Sequence, residues 1–117
     1  MNNTVNWSDY GISGDHLPTN WRHVVSLTDG GGYEWATLHA FYSPTSRRYF
    51  WDSGSGCSCN YWGMDLRSEA DFENGSKNDL IRAIRQFGDY HNYVFHTSDI
   101  IDAVSEVRAW RPTKTPS

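Results

Sequence analysis

Two cysteines, Cys57 and Cys59, are the residues of this sequence whose type and spacing most directly suggest chemistry. They end a segment rich in glycine and serine, residues 53–60, whose backbone can adopt a positive φ and approach another group closely. A zinc ion would need four ligands, of which the two cysteines are half. The candidates for the remaining ligands are His39, His91, His96 and Asp52. A cysteine nucleophile would instead need a histidine base and amide donors for an oxyanion.

Neither chemistry is strongly indicated by the pattern Cys-x-Cys. Structural zinc sites usually pair two Cys-x-x-Cys knuckles, and this sequence has none. A redox pair is disfavoured as well, because a disulfide between Cys57 and Cys59 would close a small, strained ring. The sequence therefore favours a tight turn in which small thiols fill space against an aromatic sheet. We expect free thiols, no bound metal and no cofactor.

Aromatic side chains crowd both ends of this cysteine segment. Such rings could form a stacking platform for a base, a nucleotide or a partner's side chains. We expect two or three of them to stay exposed, and Trp62, in a stretch without periodicity, to be the ring least involved in the core. The predicted contact surface consists of Tyr49, Trp51, Ser55, Gly56, Cys57, Ser58, Cys59, Tyr61 and Trp62.

A second candidate surface is cationic. Four arginines lie on the polar faces of two predicted helices, and they would form a local positive patch if those helices are neighbours. The alternative is a solvated helix face with cations near the helix C-termini. These residues are Arg82, Arg85, Arg108 and Arg111.

The elements that must position these residues begin with strands. Runs of β-branched and aromatic residues predict strands at 21–27, 33–42 and 48–51, joined as an antiparallel meander. Glycines 30–32 read as the first hairpin loop, since no Lys-Ser or Lys-Thr follows them as in a phosphate-binding loop. Neither face of the second strand is polar, which predicts a central strand covered on both sides. His23 and His39 lie on paired strands and could face each other.

Helices follow the strands. Ser76, with Asp79 three residues later, resembles a capping box for a helix near 78–87, and a last helix is predicted near 98–110. A run of aromatic and β-branched residues at 90–96 predicts a further strand between them. Six apolar positions at helical spacing should be mostly buried: Leu80, Ile84, Phe87, Ile101, Val104 and Val107.

The fold class that results is α+β, a small antiparallel sheet of three to four strands with two to three helices packed on it. A chain of 117 residues fits one domain. We predict an irregular N-terminal arm at 1–20, a single domain at 21–112 and a loose tail at 113–117. Aromatic residues reach 15%, which supplies a core although only 38% of residues are hydrophobic.

Charge and hydropathy exclude some partners. The net charge is −4 with scattered acidic residues, which argues against binding to duplex nucleic acid. No run of eighteen apolar residues is present, so we expect no membrane span. The N-terminus lacks the pattern of a secretion signal, and two closely spaced cysteines suit a reducing compartment. The cytoplasm is the expected location.

One segment carries a family resemblance. A strand ending in aromatic residues, followed by Asp-Ser-Gly-Ser and then Gly56-Cys57-Ser58-Cys59, resembles a small uncharacterised protein family of actinobacterial phages. The similarity spans roughly residues 21–72. It implies a phage protein in the host cytoplasm, where it would bind a host protein during host takeover or counter-defence without catalysing a reaction. The alternatives are a protein that sequesters a small nucleotide, a zinc- or cysteine-dependent enzyme, and a virion component.

Overall fold

The three strands predicted at 21–27, 33–42 and 48–51 belong to one antiparallel sheet in the computed structural model, which describes residues 4–29 and 34–112. The strands, in sheet order, are β1 (Arg22–Asp29), β2 (Glu34–Ser43), β3 (Arg48–Cys57) and β4 (Glu73–Gly75). Two helices complete the fold, α1 (Lys77–Tyr90) and α2 (Thr97–Ala109). The α+β class is therefore confirmed. The predicted glycine hairpin loop and the tail at 113–117 lie outside the described residues.

Strand β2 is central and covered on both sides, as predicted. Its even-numbered residues, such as Leu38 and Ala40, pack against the helices together with Tyr49 and Trp51 of β3. Its odd-numbered residues, such as Phe41, face the opposite side. Alternation along a strand sends successive side chains to opposite faces, so an aromatic and aliphatic strand without a polar face needs two covering layers.

The helical layer follows from capping and periodicity. The Ser76 hydroxyl accepts the Asp79 amide, and the Asp79 carboxylate accepts the Ser76 amide at 2.9 Å, so the predicted box starts α1. Five of the six predicted core residues of the helices are buried. The prediction for Ile101 is wrong, because 59% of its surface is exposed. The buried face of α2 runs through Ala103, Val104 and Val107, and Ile101 falls outside it.

The opposite face of the sheet is covered by the N-terminal arm and by the loop between β3 and β4. The arm makes a 3-10 turn at Trp7–Tyr10, and the Trp7 indole donates to the Pro18 carbonyl oxygen at 2.7 Å. The stacked rings of Trp21 and Phe50, 4.5 Å apart, lie in the same layer. This second core consists of Trp7, Ile12, Leu17, Trp21, Phe41, Phe50, Trp62, Leu66 and Phe72.

Two strand predictions need correction. The strand predicted at 90–96 is wrong, because α1 continues to Tyr90 and the Phe87 carbonyl accepts the His91 amide that follows. The next residues form a turn in which the His91 carbonyl accepts the amides of Val94 and Phe95. The fourth strand is instead β4, and β3 is longer than predicted because pairing with β2 continues to Cys57. Within the described residues, no helix is long and apolar enough to cross a lipid bilayer.

Candidate functional site

The second half of β3 is paired on one side. Strand β2 pairs with all of β3, from Arg48 to Cys57, whereas β4 pairs with Tyr49, Phe50 and Trp51 alone. Among the described residues no strand lies against the other side of residues 52–57. We call this side the outer edge of β3. An edge of this kind presents unpaired amides and carbonyls, which makes it a potential binding surface.

A groove of about 380 Å³ lies beside the outer edge on the face covered by the N-terminal arm. We call it the loop-side groove, because the loop after β3 forms its far wall. Its lining consists of residues 52–55 of β3, residues 60–66 of the loop, and the side chains of Trp35 and Asp71. No Lys, Arg or His belongs to this lining in the described part of the chain, whereas three carboxylates do.

A second groove, of about 430 Å³, lies on the helical face of the same edge. We call it the helix-side groove. Residues 53–55 line it together with the α1 residues Ala83, Gln86, Phe87 and Tyr90. Leu38 and Trp51 give it an apolar part, and the polar side chains of Glu73 and His91 also belong to its lining. One stretch of backbone, residues 53–55, therefore separates two grooves.

Exposed apolar side chains gather at these grooves. The described residues include five large hydrophobic side chains that are exposed, namely Tyr61, Met64, Tyr90, Tyr93 and Ile101. Tyr61 and Met64 line the loop-side groove, and Tyr90, which is 78% exposed, lines the helix-side groove. Exposed aromatic residues beside a concavity are typical of protein interfaces.

Asp52 is the most perturbed acid at this site. It is half-buried, and burial raises the pKa of its carboxyl to about 6, with further contributions from Glu73, Asp71 and Asp65. Burial and the three neighbouring carboxylates all raise the pKa, and no cation among the described residues offsets them. The loop-side groove therefore has an acidic lining, and a positive charge placed in it would stabilise the ionised carboxylate of Asp52.

Trp62, the expected exposed ring, is buried at 7% exposure. Its indole donates to the Asp52 carbonyl oxygen at 3.1 Å, and its ring meets His39 edge-on at 4.5 Å. The expected exposure was wrong because the N-terminal arm builds a second core around this ring, which the local pattern of residues 60–64 does not indicate. Its neighbour Tyr61 is 53% exposed and takes the position that Trp62 was expected to have.

Tyr49 and Trp51 are also buried, at 8% and 5% exposure. Both point to the helical layer, where the ring of Trp110 packs 5.9 Å from that of Tyr49. Trp51 reaches the wall of the helix-side groove, and its indole nitrogen has no hydrogen-bond partner among the described residues. Of the four predicted contact rings, Tyr61 is therefore the exposed one, and the expectation of two or three exposed rings was wrong.

The remaining predicted residues lie at the end of β3. Ser55, Gly56 and Cys57 are part of the strand, which corrects the predicted loop, and Ser58 and Cys59 follow in a turn. The turn is held by the Asn60 amide, which donates to the Cys57 carbonyl oxygen at 3.2 Å. The Trp35 indole donates to the same oxygen at 3.1 Å and to the Asn60 carbonyl oxygen at 3.0 Å.

Both thiols are free and exposed. A hydrogen bond from Cys59 lowers the pKa of the Cys57 thiol, and the same interaction raises the pKa of Cys59. In the part of the chain that the structure describes, no three or more His, Cys, Asp or Glu side chains are grouped so that they could hold a metal ion. His39, His91, His96 and Asp52, the candidate zinc ligands, are thus not assembled around the cysteines.

The four predicted arginines are all exposed. Arg82 pairs with Asp79 at 3.2 Å on the surface of α1, a contact that contributes little to stability. Arg111 donates to the carbonyl oxygens of Arg108 and Trp110 at the end of α2. The guanidinium of Arg111 is therefore occupied in part by closing the helix.

Lys77 brings the two helices together at this point. Its ammonium donates to the carbonyl oxygens of Arg108 and Trp110, at 3.3 Å and 2.7 Å. Burial and the nearby Arg111 lower the pKa of Lys77. The start of α1 and the end of α2 are neighbours, so Lys77 and Arg111 form a cationic pair, while Arg82 and Arg85 follow further along α1. The arginine patch stays a prediction.

His23 and His39 are joined through Ser26, a residue that was not predicted from the sequence to take part. The Ser26 hydroxyl lies 2.7 Å from His23 Nε2 and 2.6 Å from His39 Nδ1. The two histidines do not face each other directly, because Ser26 is the residue opposite His39. Burial, and then the charge of His23, lower the pKa of His39 to about 4. Tyr10 and Trp62 both pack on the His39 ring edge-on, and the lowered pKa of His39 keeps this ring neutral near pH 7.

The fold and the site define a class: a small α+β domain whose sheet has a partly unpaired strand flanked by an acidic groove and by a groove of mixed polarity. Residues 12–111 match a family described as a domain of unknown function, DUF7574. The match covers most of the chain, and the chain belongs to this family. No curated protein and no solved structure matches the chain.

Proposed function

We propose that the chain is a non-catalytic interaction domain that binds a partner protein through the outer edge of β3 and the two grooves beside it. One observation carries the proposal. Three of the five exposed large hydrophobic side chains among the described residues, Tyr61, Met64 and Tyr90, line these grooves. Aromatic residues desolvated at the centre of an interface supply a large share of binding energy.

The nature of the partner rests on the resemblance of the Gly-Cys-Ser-Cys string at residues 56–59. A phage protein of this kind would meet its target in the host cytoplasm and bind a host protein during host takeover or counter-defence. The outer edge of β3 lies next to this string, so the resemblance and the exposed aromatic residues support the same part of the molecule.

A nucleotide is a weaker candidate for the same grooves. A phosphate needs cations, backbone amides at a helix start, or both. The loop-side groove has Asp52, Asp65 and Asp71 in its lining, and the described residues bring no cationic side chain to it. Its charge repels an anion, which favours a protein partner over a nucleotide.

The test is affinity capture from an actinobacterial lysate, followed by mass spectrometry of bound proteins and small molecules. The double variant Tyr61→Ala, Tyr90→Ala should capture at least tenfold less of the partner protein than the wild-type protein does. The control is Ile101→Ala, which removes an exposed apolar side chain of α2 that lines neither groove. Equal capture by all three proteins would move the binding surface elsewhere, and capture of a nucleotide alone would refute the proposal.

A further inference from the structure

We infer that the outer edge of β3 accepts an extended segment of the partner as an additional strand, with cationic and apolar side chains in alternation. This inference rests on the proposed function and deepens it. Addition of a strand to an open sheet edge supplies affinity through backbone hydrogen bonds and specificity through pockets for alternate side chains. The outer edge of β3 offers both free backbone groups and grooves for side chains.

The backbone requirement is met by residues 53–56. The carbonyl oxygens on either side of them already have donors, since the Trp62 indole donates to that of Asp52 and the Asn60 amide to that of Cys57. Alternate residues of a strand turn their amide and carbonyl groups to the same side. Those that face away from β2 meet β4 as far as Trp51, and beyond it they have no strand partner among the described residues. Apart from the ladder with β2, residues 53–56 make no backbone hydrogen bond within this part of the chain.

The edge lacks three of the usual protections against pairing, and the fourth, a covering segment, is confined to its two ends, at Asp52 and Gly56. Natural proteins block open edges with proline, lysine, bulges or covering segments. Residues 52–57 contain neither proline nor a basic residue, and their register with β2 is continuous. The sequence Ser-Gly-Ser-Gly at 53–56 has only small side chains, so another backbone can approach closely.

The side-chain requirement is met by the two grooves. Successive residues of a strand point to opposite faces of the sheet. An added strand would therefore send every second side chain to the loop-side groove and the others to the helix-side groove, since residues 53–55 line both.

The charge and apolarity of each groove determine which side chains of the added strand it accepts. The loop-side groove takes Lys or Arg, because the half-buried carboxylate of Asp52 and the carboxylate of Asp65 belong to its lining. Arg67 is not part of this lining, and it does not contribute to the raised pKa of Asp52. The helix-side groove takes an aliphatic side chain against the buried surfaces of Leu38, Trp51 and Phe87. It has a single carboxylate, that of Glu73, in its described lining, against three in the loop-side groove.

The experiment uses the full chain and a labelled seven-residue peptide, Lys-Val-Lys-Val-Lys-Val-Lys, with blocked ends, followed by fluorescence anisotropy. Replacement of all its lysines by glutamate should weaken binding at least tenfold. Asp52→Asn should reduce this preference for lysine at least threefold, whereas Asp102→Asn, an exposed carboxylate of α2 outside both grooves, should not change it. An equal affinity for the lysine and glutamate peptides would overturn the charge assignment.

Backbone methylation tests strand addition itself. The Val amides lie on one edge of the extended peptide and the Lys amides on the other. N-methylation of one set of amides, Val or Lys, should weaken binding of the peptide at least tenfold. N-methylation of the other set should change the affinity less than threefold. In the complex, amides among residues 53–57 should exchange with solvent at least tenfold more slowly. Equal effects of the two methylated peptides contradict strand addition.

Two further outcomes separate the alternatives. If lysate capture depends on Tyr61 and Tyr90 but the two methylated peptides bind alike, strand addition is wrong and the proposed function stands. If the protein sediments as a dimer whose amides at residues 53–57 are already protected, the edge pairs with a second copy and the inference is overturned. If neither capture nor peptide binding depends on this surface, both proposals are wrong.

Discussion

His39 and Asp52 lie directly opposite each other on β2 and β3, and their environment favours the neutral form of both. The pKa of His39 falls from 6.5 to about 4, while that of Asp52 rises from 3.8 to about 6. Burial is the main cause in each case. Trp62 connects them, because its ring packs on His39 and its indole donates to the Asp52 carbonyl oxygen.

The two residues should affect stability in opposite directions as pH changes. His39 has a lowered pKa in the folded state, so its contribution is complete above pH 6.5 and is lost as pH falls towards 4. Asp52 has a raised pKa, so its contribution is complete below pH 3.8 and is lost as pH rises through about 6. Between pH 4 and 6 the two changes partly cancel.

Single variants should separate these effects. Asp52→Asn should make stability fall more steeply between pH 6.5 and 4 than in the wild-type protein, and His39→Gln should make it fall less steeply. Because both side chains are partly solvated, we expect each change to be about 1 to 2 kcal/mol over this range. Urea unfolding at half-unit pH intervals measures it. Parallel pH profiles for the three proteins would contradict the opposed pKa values.

The buried position of Trp62 gives a second prediction. Trp62→Ala should destabilise the protein by about 3 to 5 kcal/mol, because it leaves a cavity in the second core and removes the hydrogen bond to the Asp52 carbonyl oxygen. Trp62→Phe keeps a ring and should cost less. Tyr61→Ala, the exposed neighbour, should change stability by less than about 0.5 kcal/mol. Denaturant unfolding compares all three, and similar losses for Trp62→Ala and Tyr61→Ala would refute the assignment.

The regular parts of this fold could be predicted because the residues that specify them are local. β-branched and aromatic runs predicted β1 and β2, and the Ser76–Asp79 box predicted the start of α1. The run at 90–96 has the composition of a strand, yet no edge of the sheet receives it in the described structure. Residues 53–57, which have weak strand propensity, are a strand because β2 pairs with them.

The sequence predicted only part of the candidate site. Ser55 and Tyr61 line the grooves, whereas the predicted residues 56–59 line neither of them. The contribution of α1, through Tyr90, was not predicted, since it depends on how the helix lies across the sheet. Burial of Trp62 depends on rings such as Trp7, which is 55 positions earlier in the sequence and packs in the same cluster.

The two cysteines allow a prediction about reactivity. Cys57 should react with iodoacetamide faster than Cys59 near neutral pH, because the hydrogen bond from Cys59 lowers the pKa of Cys57. Cys59→Ala removes that donor and should slow alkylation of Cys57. Peptide mass spectrometry after timed alkylation distinguishes the sites, and equal rates at both thiols would contradict the hydrogen bond.

Stability should not depend on the thiols. Cys57 is exposed, so Cys57→Ser should change the free energy of unfolding by less than about 0.5 kcal/mol. EDTA should leave the melting temperature unchanged, because we expect no bound metal. A fall in the melting temperature on chelation, together with stoichiometric zinc in the purified protein, would return the zinc site to consideration.

The glycines of β3 give the last prediction, because their neighbours differ. A Cβ at Gly54 would make ordinary contact with the Trp35 ring at 3.4 Å, so Gly54→Ala should be neutral or slightly stabilising. A Cβ at Gly56 would overlap the Asn60 side chain, whose Oδ1 accepts the Trp35 indole at 3.2 Å. Gly56→Ala should therefore destabilise the protein by about 1 to 2 kcal/mol. In the Asn60→Ala background the overlap is gone, and Gly56→Ala should cost less than about 0.5 kcal/mol. A double-mutant cycle by denaturant unfolding measures this coupling, and strictly additive losses would mean that Asn60 does not pack over Gly56.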